Sequence, residues 1–550
     1  MQESEIGRQK EEPERREIRR RKRQVDNRGQ LILFSSGEGS EVKYREVRPG
    51  MEAVREYEDP SPGGILIGGE DLRSFLESRG ESGAIQIREL VRGLELKGFH
   101  KKPPKAGRRP YHPAGMLGLI LFGILEGRNS LRQLETMART DVRSWWISGG
   151  IQPDHSVIGR FIQQHEEQLS EEFFIELTQQ VLQLTGGRGG DLAGDGTIIQ
   201  AAGSRYRRLS KEAAEIAEQE AQEAHREAPQ DEKLRRRAEQ AQAVAEAARQ
   251  RVEVQRRGRH RGKIEVSVSE PEAVVQPLKN RAGMAASYKP VVLSNQQQIV
   301  VAQTVHPSCE HAQYSQLLDQ AEHASGQVTQ VRLDSGYFNF EVIEESQARD
   351  IELLCAEGEG SRSGRKRKKA GKFSKSEFRY HPKGDYYECP AGERLVAVGK
   401  RGQDRGRGYR RYGRAPCSEC AQRSQCTDNP KGRLVKRYIN EELKDQLRAK
   451  MQQPGIQQEY QKRRHMVEPV FARIKVHQGL WRFKRKGLRS VRVEFALHAA
   501  VHNIARLLAL RRASKTLFYA FQDLFRRFMG GSRSFLGLWI PSLSPNSQNL

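Results

Sequence analysis

The chain has 550 residues, enough for three or four domains at roughly 150 residues each, and lysine plus arginine outnumber aspartate plus glutamate by 95 to 70, a formal charge of +25. That balance points to a polyanionic partner, nucleic acid first; the longest apolar run, Leu117 to Leu125, is far below the ~18 residues of a spanning helix, so no membrane partner is expected. The charged opening does not read as a signal peptide, and six cysteines with four of them clustered do not read as a secreted disulfide framework, so a reducing, intracellular setting is expected.

Residues 1–65 are rich in charge, with REIRRRKRQ at Arg16 to Gln24. They are expected to be disordered, either as a solvated arm or as one that tracks phosphates. From Leu72 the spacing turns helical. PAGMLGLILFGILE, Pro113 to Glu126, is apolar enough for a buried helix with its proline near the start, and Thr140 or Asp141 is placed to cap the next one. After Gly149 and Gly150, PDHSVIGRF reads as a capped helix start with Arg160 on an exposed face. Residues 66–185 thus read as a helical domain, for groove binding or for packing and dimerisation.

Residues 186–360 read as the first part of an α/β core. LAGDGTIIQAAGS reads as a strand with Asp195 near its middle, and a carboxylate inside a strand is costly without a task or a partner. Ser210 to Arg257, almost pure Ala, Glu, Gln, Lys and Arg, reads as a solvated helix or hairpin inserted as a spacer at about 205–260. KIEVSVSE at Lys263 and QIVVAQTV at Gln298 alternate as strands. AQYSQLLDQAEHA is helical, and VTQVRLD ends a strand on Asp334 beside Ser335 and Gly336, where open α/β sheets hold ligands. A helix around Phe338 to Ser346 and a strand at Ile351 complete the pattern.

Residues 361–440 form a basic insertion that opens with SRSGRKRKKAGKFSK; its run Arg365 to Lys369 reads as a nuclear-localisation-like patch or a DNA-tracking loop. Cys417 and Cys420 form a CxxC that, with Cys389 and Cys426, suits either tetrahedral zinc or free, redox-active thiols. Cys309 and Cys355 read as buried small hydrophobes.

The final part of the core, 441–512, contains YQKRRHMVEPVFARIK from Tyr460. At about 100° per residue, Tyr460, Arg464, Glu468 and Lys475 share an arc of roughly 80° beside an apolar stripe of Val467, Val470, Phe471 and Ile474. Taken alone, this is an amphipathic surface helix with i,i+4 charge pairs, and Pro469 predicts a kink or a helix start at Glu468. Phe495 to Leu510 should form a helix beneath the sheet, and residues 513–550 a frayed tail.

Three carboxylates drawn together, Asp195, Asp334 and Glu468, repel one another unless cations neutralise them, and in a basic chain they suit a pair of divalent cations acting on a nucleic-acid phosphodiester. GDGT around Asp195, RLDSGY around Asp334 and the Tyr-Arg-Glu-Lys set on the last helix, in that order, resemble the bacterial insertion-sequence transposases of the DDE type over residues 70 to 510. Glu468 follows Arg464 after three residues and precedes Lys475 after six. Tyr460 is one residue too far from Arg464, or else Arg463 fills the arginine position and the next interval is too long. PDHSVIGRF is similar to the family's N-terminal domain, and the cysteine insertion to one found in some members.

The resemblance implies an RNase H-like mixed sheet flanked by helices, with Asp195, Asp334 and Glu468 ligating two Mg²⁺ or Mn²⁺ ions. It implies that Tyr460, Arg463, Arg464 and Lys475 hold DNA near the cut. The reaction implied is hydrolysis at the terminal inverted repeats of a mobile element, then transfer of 3′-hydroxyl ends into target DNA. A homodimer or higher oligomer on DNA, in the cytoplasm with the nucleoid, is the implied setting. Two other readings stand beside it: a catalytically silent DNA-binding descendant, and a nuclease on the same core.

Overall fold

The computed structural model describes residues 62–96, 98–99, 109–254, 264–278, 283–358, 371–404, 406–414 and 417–528; the basic arm, the Arg365 to Lys369 patch and the tail after Gly530 lie outside them. The chain divides into two units, residues 1–168 and 169–550.

In the first unit, side chains that satisfy orphan amides start most of the helices. Asp71 caps α1 (Leu72–Ser78), and α2 (Ser82–Arg92) follows. Pro113 opens α3 (Pro113–Leu125), in which every residue through Ile124 is buried, the expected behaviour of a helix apolar all round. Ser130 and Gln133 form a reciprocal capping box on α4 (Leu131–Thr140), Asp141 caps α5 (Val142–Ser148), and Asp154 caps α6 (His155–Gln164). Of the two cap candidates, Asp141 is the one used. Gly115 and Gly118 let α3 and α5 touch: a Cβ at either would come within 2.7 Å of Ser148 O or Ile147 Cγ2.

The second unit begins with α7 (Glu172–Thr185) and is built on a mixed sheet. Its strands are β1 (Asp191–Gly196), β2 (Ile199–Gln200), β3 (Arg208–Ser210), β4 (Glu265–Ser267), β5 (Val274–Pro277), β6 (Met284–Asn295), β7 (Val300–His306), β8 (Gln330–Leu333) and β9 (Glu352–Cys355). Helices α8 (Lys211–Glu227) and α9 (Glu232–Val254) form a hairpin between β3 and β4. Helix α10 (Tyr314–Ser325) joins β7 to β8, and α11 (Phe340–Ala348) joins β8 to β9. The middle of the sheet runs β7-β6-β1-β8-β9, with β6 antiparallel to both its neighbours and β1, β8 and β9 mutually parallel.

The order differs from expectation at one strand. KIEVSVSE becomes β4, in the outer part of the sheet, while the strand beside β1 is the twelve-residue β6, which the sequence reading did not find. Lys289 and Pro290 interrupt its alternation, and proline in a central strand argues against one. Here Pro290 lacks only an amide, while its carbonyl accepts from Thr197 N at 2.9 Å just past β1. Asp195 lies at the carboxyl end of β1 rather than in mid-strand.

The insertion also carries more structure than its basic composition suggests. β10 (Arg379–His381), β11 (Tyr386–Glu388), β12 (Arg394–Asp404), β13 (Arg407–Gly413) and β14 (Val435–Tyr438) form an antiparallel sheet in chain order. Its core is Phe378, Tyr387, Leu395, Tyr412 and Val435. The helical hairpin is likewise not a bare spacer, since Ala214, Val244, Ala245 and Ala248 pack on Val266 of β4. Of the two cysteines expected inside, Cys355 is buried and Cys309 only half-buried.

Helices α12 (Glu441–Met451), α13 (Ile456–Ala472) and α14 (Leu488–Phe528) close the unit. Helix α13 runs unbroken through Pro469. The proline deprives the His465 carbonyl of its helical partner, and Gln298 Nε2 donates to that carbonyl instead at 3.0 Å. The stretch Leu488–Ser514 is long and apolar enough to cross a membrane by length and composition, yet 83% of its most apolar window is buried in the protein. It packs against β7, where buried Asn503 accepts from Val300 N at 2.8 Å and donates to Val300 O at 2.8 Å.

On the same helix, burial pushes His498 and His502 down to about 3. Each is neutral and held by one acceptor, Gln478 Oε1 or Gln298 O, at 2.7 Å. A base whose folded pKa is depressed costs stability as pH falls below its unfolded value, because only the unfolded chain takes up the proton. Stability should therefore fall between about pH 6.5 and 5.5 by up to about 1.4 kcal/mol per histidine. Thermal melts across that range should show a flatter pH slope in His498→Gln than in the parent.

Candidate active site

β7, β1 and β8 all run the same way, so their carboxyl ends share one edge of the sheet, and each end is followed by an acid. Asp195 is the penultimate residue of β1, Asp334 follows β8 directly, and Glu310 lies in the loop after β7. One carboxylate oxygen from each of the three lies within 4.8 Å of the others, and all three residues are half-buried. No other group of three ligating side chains this close occurs among the described residues.

Local chain geometry holds each acid. Asp195 Oδ1 accepts from Gly196 N at 2.8 Å. Asp334 Oδ1 accepts from Gly336 N at 2.9 Å, capping a 3₁₀ turn at Ser335–Tyr337. The Asp334 carbonyl takes the thiol of Cys355 at 3.1 Å, a thiol that burial pushes up to about 12 and so keeps protonated. Glu310 lies directly over Gly196: a Cβ there would stand 2.6 Å from Glu310 Cγ, so a larger residue would shift this side chain.

Two cations face the acids. Lys289 Nζ is 3.2 Å from Glu310 Oε1, and Arg463 Nη1 is 3.5 Å from Asp195 Oδ2. They do not neutralise the group. Three carboxylates outnumber two cations, and burial above all pushes the Asp195 carboxyl above its usual range against the pull of Arg463 and the Gly196 amide, with smaller pushes from Asp334 and Glu310. An all-oxygen set of crowded carboxylates with surplus negative charge suits a hard divalent cation such as Mg²⁺ or Mn²⁺.

The residues expected on the last helix divide into two sets. Tyr460 is half-buried, with Asp334 and Cys355 among the groups acting on its hydroxyl, and Arg463 meets Asp195. Beyond the helix, Lys475 Nζ donates to Thr197 Oγ1 at 2.5 Å and to Ile198 O at 3.2 Å. Arg464 and Glu468 are exposed, and Glu468 stands outside the acidic group. At about 100° per residue, Glu468 points roughly 140° round the helix from Arg463. Of the two registers open in the sequence, the arginine beside the acids is Arg463.

The sequence reading missed Lys289, hidden with β6, and also the acid Glu310. The signal for Glu310 was available: it stands four residues past the end of a correctly read strand, the same carboxyl-end rule that singled out Asp334.

Comparison with known families adds two matches. Residues 388–508 match the Transposase DDE domain, and residues 82–164 match the Transposase domain (DUF772). The first segment contains Glu468 and Lys475 but none of Asp195, Glu310 and Asp334. No curated protein and no solved structure matches the chain.

Mn²⁺ at a hundredfold excess over its Kd should stabilise the protein by about 2.7 kcal/mol, read as a rise in melting temperature. Gly196→Ala, which displaces Glu310, should lose most of that rise while melting near the parent value without metal. An undiminished rise in the variant would remove Glu310 from the cation-binding group.

Proposed function

We propose that this chain, whose two matched segments support a DDE-type insertion-sequence transposase, cuts DNA at the ends of a mobile element and joins the freed 3′-hydroxyls to target DNA. The observation that carries the reading is the convergence of Asp195, Glu310 and Asp334 at one sheet edge. The strand order β7-β6-β1-β8-β9 with β6 reversed supports an RNase H-like core beneath it. A nuclease would need the same acids, so the transfer step is what separates the two.

Asp195 and Asp334 would hold divalent cations, with Glu310 as the third carboxylate in the arrangement present. Bound there, Mg²⁺ or Mn²⁺ would activate the attacking water or 3′-hydroxyl and stabilise the departing oxygen. Arg463 orients Asp195 and lies ready for a phosphate oxygen, with Tyr460 packed beside it. Lys475, anchored on Thr197, brings a second positive charge to the end of β1 for the strand being cut. The fixed charges cost no reorganisation when negative charge builds up on the phosphate. Exposed Arg464 extends the basic face along the helix for backbone contacts. A second reading of the third carboxylate, Glu468, is favoured by its spacing from Arg464 and Lys475 and by its place inside the matched DDE segment.

Asp195→Asn and Asp334→Asn should each lower cleavage of an element-end substrate by at least about a hundredfold and leave DNA binding nearly intact. Glu310→Gln should behave likewise and Glu468→Gln should not; the reverse pattern would assign the third carboxylate to Glu468. Transfer of a labelled end into a second DNA would follow cleavage in a transposase and be absent in a nuclease.

Binding should weaken by at least about tenfold between roughly 50 and 200 mM salt, as counterion release from many lysine and arginine contacts requires. A flat response in a filter-binding titration would remove the basic surface as the main contact.

A further inference from the structure

The five-stranded lobe holds a second constellation that DNA cutting does not use. Cys389 follows β11, Cys417 and Cys420 bracket a short turn, and Cys426 ends one helical turn at Arg423–Cys426. All four line one small cavity beside Phe378, of about 40 Å³, and none of the six cysteines is in a disulfide. We propose that this cavity is a structural zinc site with the thiolates of Cys389, Cys417, Cys420 and Cys426 as its four ligands.

Two tight turns carry Cys389 and Cys420. Gly392 N donates to Cys389 O at 2.8 Å and Cys389 N to Glu393 O at 2.9 Å, closing a turn that Gly392 completes at φ +79°. Arg423 N donates to Cys420 O at 3.0 Å, and the two-residue spacing of Cys417 and Cys420 suits one tetrahedral ion. A third segment crosses behind them at Gly432, at φ +83°, where a Cβ would come 2.9 Å from Cys417 Sγ. The sulfurs ring the cavity more widely than the acidic trio, which alone reaches the 4.8 Å closeness among the described residues. Rotation about χ1 moves a sulfur without moving its turn.

The electrostatics supply an independent argument. Arg414, Arg423 and Arg433 line the same cavity. Glu393 pairs with Arg414. Arg433 is only 7% exposed, and its guanidinium lies 5.0 Å over the Phe378 ring. Its Nε is buried with no hydrogen-bond acceptor, as is Nη1 of Arg423. Among the described residues no acceptor meets these two N–H groups, and a buried donor left unpaired is costly. Zinc with four thiolates carries a net charge of −2, so its sulfurs would accept from these N–H groups in the way that outer partners of metal ligands do. Binding releases the thiol protons to solvent.

The ion would tie three separate segments to a lobe with a small core, and would thus contribute folding free energy there. This inference does not rest on the DNA-cutting reading, and its measurement needs no activity. Full-length protein from zinc-replete cells should contain about one zinc per chain by elemental analysis. Cys417→Ser/Cys420→Ser should lose it and Cys309→Ser should retain it. Chelator should open the lobe to limited proteolysis while the β1 sheet stays protected. Arg433→Met should release zinc to a competing chelator several-fold faster than the parent.

Because the double variant can fail by misfolding, the parent protein carries its own test. Co²⁺ exchanged into it should produce thiolate-to-metal charge-transfer absorption. Parent protein with no zinc and no such band, zinc retained in a folded Cys417→Ser/Cys420→Ser variant, or a Cys417–Cys420 disulfide found by mass spectrometry would each overturn the proposal.

Discussion

Arg332 fixes the phase of the helix on which the basic half of the site depends. It stands in the middle of β8 with 1% of its side chain exposed, and such a guanidinium requires charged partners, since loss of one leaves a buried charge uncompensated. Asp191 at the start of β1 supplies one. Helix α13 supplies the rest, for Arg332 Nε donates to Glu459 O at 2.8 Å and Nη2 to Glu459 Oε2 at 3.1 Å. With Glu459 pinned, every later position on the helix is set by its pitch. Tyr460 and Arg463 turn toward Asp334 and Asp195, Val467 and Val470 fill the interface, and Glu468 turns outward. The π-helical turn Arg473–His477 then re-phases the chain, which lets Lys475 come back to Thr197.

The acidic half depends on a different constraint, the direction of the strands. Because β7, β1 and β8 are parallel, their ends meet on one edge, and three carboxylates gather there without any long loop to carry them. Burial above all keeps the Asp195 carboxyl raised despite the pull of Arg463, and three carboxylates facing two cations suit an added positive charge. Glycine at position 196 leaves the space that the Glu310 side chain occupies. Sheet direction thus determines which acids come together, whereas sequence spacing along a helix determines only which residues share a face.

That distinction explains what could be read from the sequence. The helical first unit was legible because its caps and its uniformly apolar α3 are local signals, and Asp334 because its strand end is marked by a turn; Asp195 stood out only as a carboxylate inside a strand, and its place at the strand's end was not read. β6 was hidden by Lys289 and Pro290, whose tolerance depends on neighbours far along the chain. The choice between Arg463 and Arg464 could not be made locally, since it is fixed by Arg332, more than a hundred residues away. The core of the lobe was obscured because its apolar side chains alternate with arginines, a pattern that reads first as charge. Those arginines nevertheless contribute to packing: Arg437 lies 3.7 Å over Tyr380 and Arg433 5.0 Å over Phe378.

The lobe is also joined to the site by short connections. Arg407, at the start of β13, binds both carboxylate oxygens of Glu344 at 2.8 Å and lies 4.1 Å over the Phe340 ring. Both partners belong to α11, the helix that follows the turn capped by Asp334. A bidentate, ring-stacked arginine resists sliding more than a single ion pair does, so the position of the lobe constrains α11, and α11 constrains the turn that presents Asp334. From the other side, Cys355 donates its thiol to the Asp334 carbonyl. Asp334 is therefore held between the sheet and the lobe, and whatever stiffens the lobe also narrows the range of positions open to this carboxylate.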